Sequence, residues 1–358
     1  MSYQWSLDAQ ALFGERYPQM VSLGLPESDV DAVRAAITDM WVDAPGGWVY
    51  EWSELASRYA KAGSHQLASL AYGWAKFPTL ADDAKRTALT RQLEQYLLAA
   101  PGFGVDFQRQ ILDVAYQGET TPVPVHILTP PGLDTTNAPV VIASGGVDGW
   151  KMDVHTLLVF FAATMRVRVL SFDIAGTGES VVPMTPDGGA EIVRGLIGHA
   201  RTLGNGVVAH IGVSMGGYYS ARSGLAGEVD AAIVLGGPVE EAFDKRGAGA
   251  FGMGGIVGNA LGFDREPTAD EQATRFGAFS LRSLLDQDIN SPMLVLNGAD
   301  DVHVPRHDTQ VFQGRRDTRS HLIPDTGHCA VSKMPEALQV MSDWLGRTLS
   351  ALSAGAHQ

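Results

Sequence analysis

Cysteine is nearly absent. Cys329 stands alone in 358 residues, which excludes an internal disulfide and any metal site built from several cysteines. No His-Glu-x-x-His pair occurs and the remaining histidines and acids are scattered, so neither a metal nor a cofactor is expected. Basic residues are outnumbered, 26 against 40 acidic, and the net charge of −14 argues against nucleic acid or an anionic membrane surface as a partner. No apolar run approaches the roughly 20 residues that span a bilayer. The start, Met1-Ser2-Tyr3-Gln4-Trp5, lacks a basic segment followed by an apolar one, so a cytoplasmic protein is expected. No internal repeat or low-complexity segment stands out. What remains is the composition of an ordinary folded protein, 45% hydrophobic and 18% charged, long enough for one large domain and a smaller one.

The first 103 residues carry a helical period. Val30, Val33, Ile37 and Met40 share one face, with Ser28 placed to cap it. Trp48, Trp52, Leu55 and Tyr59 form a second stripe, Leu67, Leu70, Ala71 and Trp74 a third, and Leu89, Leu93, Tyr96 and Leu97 a fourth. Five of the seven tryptophans lie here, and packing between helices explains them better than an aromatic substrate box. From Gly104 the pattern changes. Phe107–Tyr116 and Val123–Leu128 suggest a strand pair, and Pro139–Ala143, Val167–Asp173, Val207–Ile211, Ala231–Leu235 and Met293–Leu296 are short apolar runs of the kind covered on both faces. Helical stretches separate them, and Leu338, Met341, Leu345 and Leu349 mark a closing helix. The expectation is an α/β protein with a mostly parallel sheet over 104–358, preceded by a helical domain over 1–103.

Within that pattern one stretch carries chemistry. Gly212-Val213-Ser214-Met215-Gly216 follows an apolar strand and precedes a helical segment, the strand–G-x-S-x-G–helix arrangement of a nucleophile elbow. Such a turn must strain the backbone at Ser214 to lift its hydroxyl clear of the sheet, and glycines are needed where the chain would meet a Cβ. A serine nucleophile needs a base, an acid that orients the base, and donors for the developing oxyanion. Asp301, past the Met293–Leu296 strand and four residues before Pro305, suits the acid, with Asp300 as the competitor. His328, in a Gly-His pair ahead of the closing helix, suits the base. His303 and His307 lie near Asp301 in sequence but are expected to point elsewhere, and His210, inside a strand, reads as a core histidine. The oxyanion donors should be the backbone N–H of Met215 and that of Val147, or else of Gly146, in the loop after the Pro139–Ala143 strand. Gly247-Ala248-Gly249-Ala250-Phe251-Gly252 matches a dinucleotide fingerprint by letter only, since no strand precedes it, and the glycine-rich run it begins, 247–258, is expected to be a loop.

With Asp173…Gly176-Thr177-Gly178-Glu179-Ser180 added, these residues resemble the α/β-hydrolase superfamily along about 250 residues. The helical N-terminal portion, with Ala60-Lys61-Ala62-Gly63 and Ala75-Lys76-Phe77-Pro78, followed by Gly145-Gly146-Val147-Asp148-Gly149-Trp150-Lys151, is similar to a narrower group. That group includes 2,6-dihydroxypseudooxynicotine hydrolase, FrsA-like esterases and fungal polyketide-shortening hydrolases. The resemblance implies an N-terminal helical cap and a homodimer. It implies cleavage of a small-molecule aryl or β-dicarbonyl ketone at a carbon–carbon bond, with a carboxylesterase, lactonase or deacetylase acting on a small ester, or a hydrolase-fold acyltransferase, as the alternatives that the same residues allow. Some relatives use a further acid after the strand that follows the elbow, where Glu240, Glu241 and Asp244 are the candidates here.

Overall fold

The computed structural model describes the backbone of residues 3–244 and 250–355, with side chains for 3–243 and 251–353. The chain forms two compact units, Met1–Phe103 with Ala248–Thr268, and Gly104–Gly247 with Ala269–Gln358.

The first unit is helical: α1 (Ala9–Ser22), α2 (Glu27–Ala36), α3 (Trp48–Lys61), α4 (His65–Ala75) and α5 (Asp83–Ala99). Phe13, Trp48, Trp52, Trp74 and Phe77 fill its centre, with Phe13 stacked on Trp52 at 5.8 Å between ring centroids. The Trp48 indole N–H donates to the Trp74 carbonyl at 2.7 Å, so that burial leaves no orphaned donor there. Beneath Trp41 the ammonium of Lys85, fully buried, donates to the Phe77 carbonyl at 2.8 Å. Two details differ from expectation. The α2 helix stops at Ala36 because Ile37 turns extended, and Ser28 sits inside the first turn, behind Pro26, which makes no side-chain cap. The glycine-rich run expected as a loop becomes a helix at Met253–Ala260, while residues 245–249 lie outside the described residues. Glycine serves there as a small residue: a Cβ on Gly255 would lie 2.3 Å from the Trp5 ring.

The second unit is built on one eight-stranded sheet, β1 (Asp106–Tyr116), β2 (Glu119–Thr129), β3 (Val140–Ser144), β4 (Arg168–Phe172), β5 (Val208–Val213), β6 (Ala231–Leu235), β7 (Met293–Gly298) and β8 (Thr318–Ile323). Their spatial order is β1-β2-β4-β3-β5-β6-β7-β8. The β1–β2 hairpin and the β2–β4 pair are antiparallel and every other pair is parallel, as the alternation of strands and helices predicts. Residues of β3, β6 and β7 are buried throughout, because helices cover both faces. On one face α6 (His155–Met165) packs with the closing helix Met334–Gly355, and on the other α7 (Pro186–Thr202) packs with α8 (Met215–Leu225). Parallel strands all end at the same edge, so the segments after β3, β4, β5, β6, β7 and β8 converge there. Among the described residues no helix is long and apolar enough to cross a membrane.

Candidate active site

Ser214 sits between the end of β5 and the start of α8 with φ +55° and ψ −126°, a conformation a serine rarely adopts. The turn is held from both sides. The Ser214 N–H donates to the Leu235 carbonyl of β6 at 2.8 Å, and the Gly217 N–H donates back to the Ser214 carbonyl at 2.7 Å. A Cβ on Gly212 would lie 2.0 Å from the Gly216 carbonyl oxygen, so only glycine allows the chain to fold back this tightly.

The segments after β7 and β8 bring two more residues to this point. His328 Nε2 lies 2.9 Å from Ser214 Oγ, and His328 Nδ1 lies 2.7 Å from Asp301 Oδ2. With a carboxylate at Nδ1, that nitrogen carries the proton, and the serine hydroxyl donates to Nε2. The Asp301 side chain is 1% exposed and that of His328 20%. Asp300, by contrast, turns outward to Arg306 at 3.1 Å and is 56% exposed. Burial disfavours the imidazolium, but Cys329 beside it and the Asp301 carboxylate outweigh that, so the His328 pKa lies well above the usual histidine value. Burial also works against the Asp301 carboxylate, yet hydrogen bonds from His328, Asn297 and the His303 N–H hold its pKa below the usual range. The base is followed by Cys329 and Ala330, both at positive φ (+55° and +51°), so the chain turns sharply directly after it.

The segment after β3 passes directly over the serine. A Cβ on Gly146 would lie 2.8 Å from Ser214 Cβ and 2.9 Å from its Oγ. The Gly146 N–H is already committed to the Gly149 carbonyl at 2.8 Å, whereas the N–H groups of Val147 and Met215 have no acceptor among the described residues. Of the two candidates in this loop, Val147 therefore keeps a donor to offer. Its carbonyl is pinned by the Trp150 indole N–H at 3.1 Å.

The loop ends in a buried charge network that the sequence did not reveal. Lys151 is fully buried, and its ammonium lies 2.5 Å from Asp173 and 2.7 Å from Glu179. Arg109 of β1 closes the network on Glu179 at 2.6 Å, and the Lys151 N–H also donates to Asp173 at 2.8 Å. Two acids and two bases thus neutralise one another around the fully buried ammonium, with Arg109 reaching toward the surface, which is what burial of charge requires.

Glu240 pairs with Arg282 at 3.0 Å. The backbone N–H groups of Val239, Glu240, Glu241 and Ala242 converge on the buried Asp308 carboxylate, which fixes the segment after β6. Glu241 opens a short helix, and the side chain of Asp244 lies outside the described residues. His210 is buried with Nδ1 2.8 Å from Ser223 Oγ, and burial pushes its pKa down to about 3, the behaviour of a core histidine. His303 does not point away as expected. Its ring lies edge-on to His328 at 5.4 Å, because its own N–H is drawn to Asp301 Oδ1 at 2.7 Å.

No family model matches the chain. It is 23% identical to Esterase FrsA from Photobacterium profundum over 240 residues, 59% of this chain and 56% of that protein. Esterase FrsA from Vibrio cholerae serotype O1 is 26% identical over 228 residues, 57% of this chain and 53% of that one. The chain thus matches about half the length of these curated relatives. Among solved structures, wild-type AbyA5 is similar with a TM-score of 0.79 and 18% identity, covering 97% of this chain and 98% of that one. The 2,6-dihydroxy-pseudo-oxynicotine hydrolase is similar with a TM-score of 0.74 and 22% identity, covering 94% and 96%. Taken with the strand order, these likenesses establish that the chain has the α/β-hydrolase fold.

Proposed function

We propose that the protein is a serine hydrolase that works through an acyl-enzyme, and that it cleaves a carbon–carbon bond of an aryl or β-dicarbonyl ketone. The observation that carries the serine-hydrolase reading is the continuous hydrogen-bonded line from Ser214 Oγ through His328 to Asp301; the choice of a carbon–carbon bond follows the resemblance of the helical N-terminal portion and the 145–151 segment. In the proposed reaction Ser214 Oγ attacks the carbonyl carbon and passes its proton to His328 Nε2. The carbonyl oxygen, now negative, accepts from the Met215 and Val147 N–H groups, each such donor being worth about 3 kcal/mol in the transition state. Asp301 stabilises the imidazolium. Collapse breaks the bond to the leaving carbon, which takes the His328 proton while a ring or second carbonyl carries the charge. Water, deprotonated by His328, then attacks the acyl-serine and releases the acid.

An ester substrate needs the same residues and expels an alkoxide instead. That second reading is favoured by the name of the curated relatives, both called esterases. The experiment compares initial rates on an acylated resorcinol ketone and the matching aryl ester, with Ser214→Ala as the blank. Ser214-dependent cleavage that is faster on the ketone supports carbon–carbon hydrolysis, and cleavage of the ester alone selects the second reading. Wild-type turnover in a folded Ser214→Ala variant overturns both.

A further inference from the structure

Asn297, the penultimate residue of β7, is fully buried and makes three hydrogen bonds, all within the machinery around His328. Its Nδ2 donates to Asp301 Oδ2 at 2.7 Å, the same oxygen that accepts from His328 Nδ1. Its Oδ1 accepts from the Gly298 N–H at 2.8 Å and from the Cys329 N–H at 3.0 Å. The amide has one workable orientation, since a flip would set its NH2 against two N–H donors and its oxygen against a carboxylate. One side chain therefore ties the acid on the segment after β7 to the residue that follows the base on the segment after β8. It does so at the left-handed turn directly after the base, where Cys329 has φ +55°.

We infer that Asn297 is a positioning residue of this site: its NH2 fixes the Asp301 carboxylate and draws off part of its charge, and its carbonyl fixes the turn that aims His328. The inference rests on the reading of His328 as the base. The titratable neighbours are few. His328 is faced by Asp301, Cys329 and the ring of His303, while Asp300 is turned to Arg306 and Asp308 is bound to the backbone after β6. An uncompensated change at Asp301 Oδ2 is thus felt mainly by His328. With the NH2 removed, the carboxylate presents its full charge to the imidazolium and holds the proton more tightly.

Asn297→Asp keeps the acceptor for the Gly298 and Cys329 N–H groups but sets a second carboxyl oxygen 2.7 Å from Asp301 Oδ2, so the two acids share a proton and, once it is lost, add negative charge beside His328 where the amide drew charge off. The probe is a fluorophosphonate, whose capture by Ser214 needs neutral His328 but no knowledge of the substrate, followed by mass spectrometry as a function of pH. In the wild type the capture rate rises through a pKa above the usual histidine value. In Asn297→Asp this rise moves to higher pH by about one unit or more, so the rate at neutral pH falls about tenfold and recovers in alkali. Asn297→Ala, which adds no charge and serves if the aspartate variant does not fold, shifts the rise the same way by less and lowers the plateau. An unshifted rise in folded Asn297→Ala, which removes the donor outright, overturns the inference, including the outcome in which the thermal midpoint drops and capture falls equally at every pH. Wild-type protein that is not labelled at Ser214 would instead refute the reading on which the inference stands.

Discussion

Backbone donors resist testing by substitution, but Gly146 offers a way in. An alanine there places its Cβ 2.8 Å from Ser214 Cβ and 2.9 Å from Ser214 Oγ. Ordinary carbon–carbon contact begins at about 3.5 Å, so the loop or the serine must retreat by roughly 0.7 Å or more. The serine is poorly placed to yield, because its N–H is bound to Leu235 and its hydroxyl to His328. The loop should move instead, and the next residue along it is Val147, with its uncommitted N–H. A displacement near 1 Å at a reacting centre costs about 10²-fold in rate, and loss of one oxyanion donor costs about 2.7–4 kcal/mol, or about 10²–10³ in kcat. Gly146 does not lie in the left-handed region, so alanine brings no backbone strain of its own and the fold should survive. The expected result is a kcat lower by about 10²–10³ with KM changed only a few-fold, measured on whichever of the ketone and ester the wild type cleaves, beside an unchanged circular dichroism spectrum. A kcat within about fivefold of wild type would refute the placement of the oxyanion donor in this loop.

Two further outcomes concern buried charge. Lys151→Met leaves Asp173 and Glu179 with Arg109 as the nearest cation of the network, and unpairing a buried charge costs about 3–5 kcal/mol, so urea denaturation should show a loss of that order. A loss below about 1 kcal/mol would mean that the network is better hydrated than its burial indicates. Burial lowers the Lys85 pKa to about 7, with Asp82 and Asp43 opposing it only in part. The folded state then releases this proton near neutrality while the unfolded chain keeps it to about 10.5, so Lys85 makes stability rise with pH between those values. From pH 7.5 to 9 the gain approaches about 2 kcal/mol, and Lys85→Met should abolish that slope in denaturant titrations at the two pH values; an equal slope in both proteins would contradict the assignment.

The parts of the fold that were legible in sequence are those in which a residue's neighbours in the chain decide its place. The β3, β4, β5, β6 and β7 strands showed as apolar runs because helices cover both faces of the sheet there. The elbow showed because Gly212 is demanded by the chain folding back on Gly216 within five residues, although Gly216 itself answers to Ser144 at the end of β3 and Gly145 just after it. Asp301 was singled out because it follows the Met293–Leu296 run and stands four residues before Pro305, and His328 because a Gly-His pair precedes the closing helix; the structure brings both to Ser214. The edge strand β8, Thr318–Ile323, carries Arg319, Ser320 and His321 and has no such pattern. The helix at Met253–Ala260 was concealed by glycines whose reason is a tryptophan some 250 residues earlier in the chain. Lys151 meets Asp173 across 22 residues, and Arg109 meets Glu179 across 70, so those pairings exist only once the sheet is assembled. The same holds for Asn297 and Cys329, which are 32 residues apart.

These long-range polar contacts divide into two kinds, and the division bears on how activity and stability are coupled. Lys151 carries a net charge into the interior, so removing it leaves uncompensated acids, and the fold should weaken together with the loop it anchors. Asn297 and Gly146 carry no charge: one holds a carboxylate and a strained turn, the other yields space above the serine. Replacing either by alanine alters where Asp301, His328 and the Val147 N–H stand while leaving the apolar core and the charge balance intact. Geometry and stability should therefore separate at Asn297 and Gly146 and fall together at Lys151. If all three lost stability in proportion to activity, the site would be no more than a reporter of global folding, and the strain at Ser214 and Cys329 would be a property of the fold rather than of the reaction.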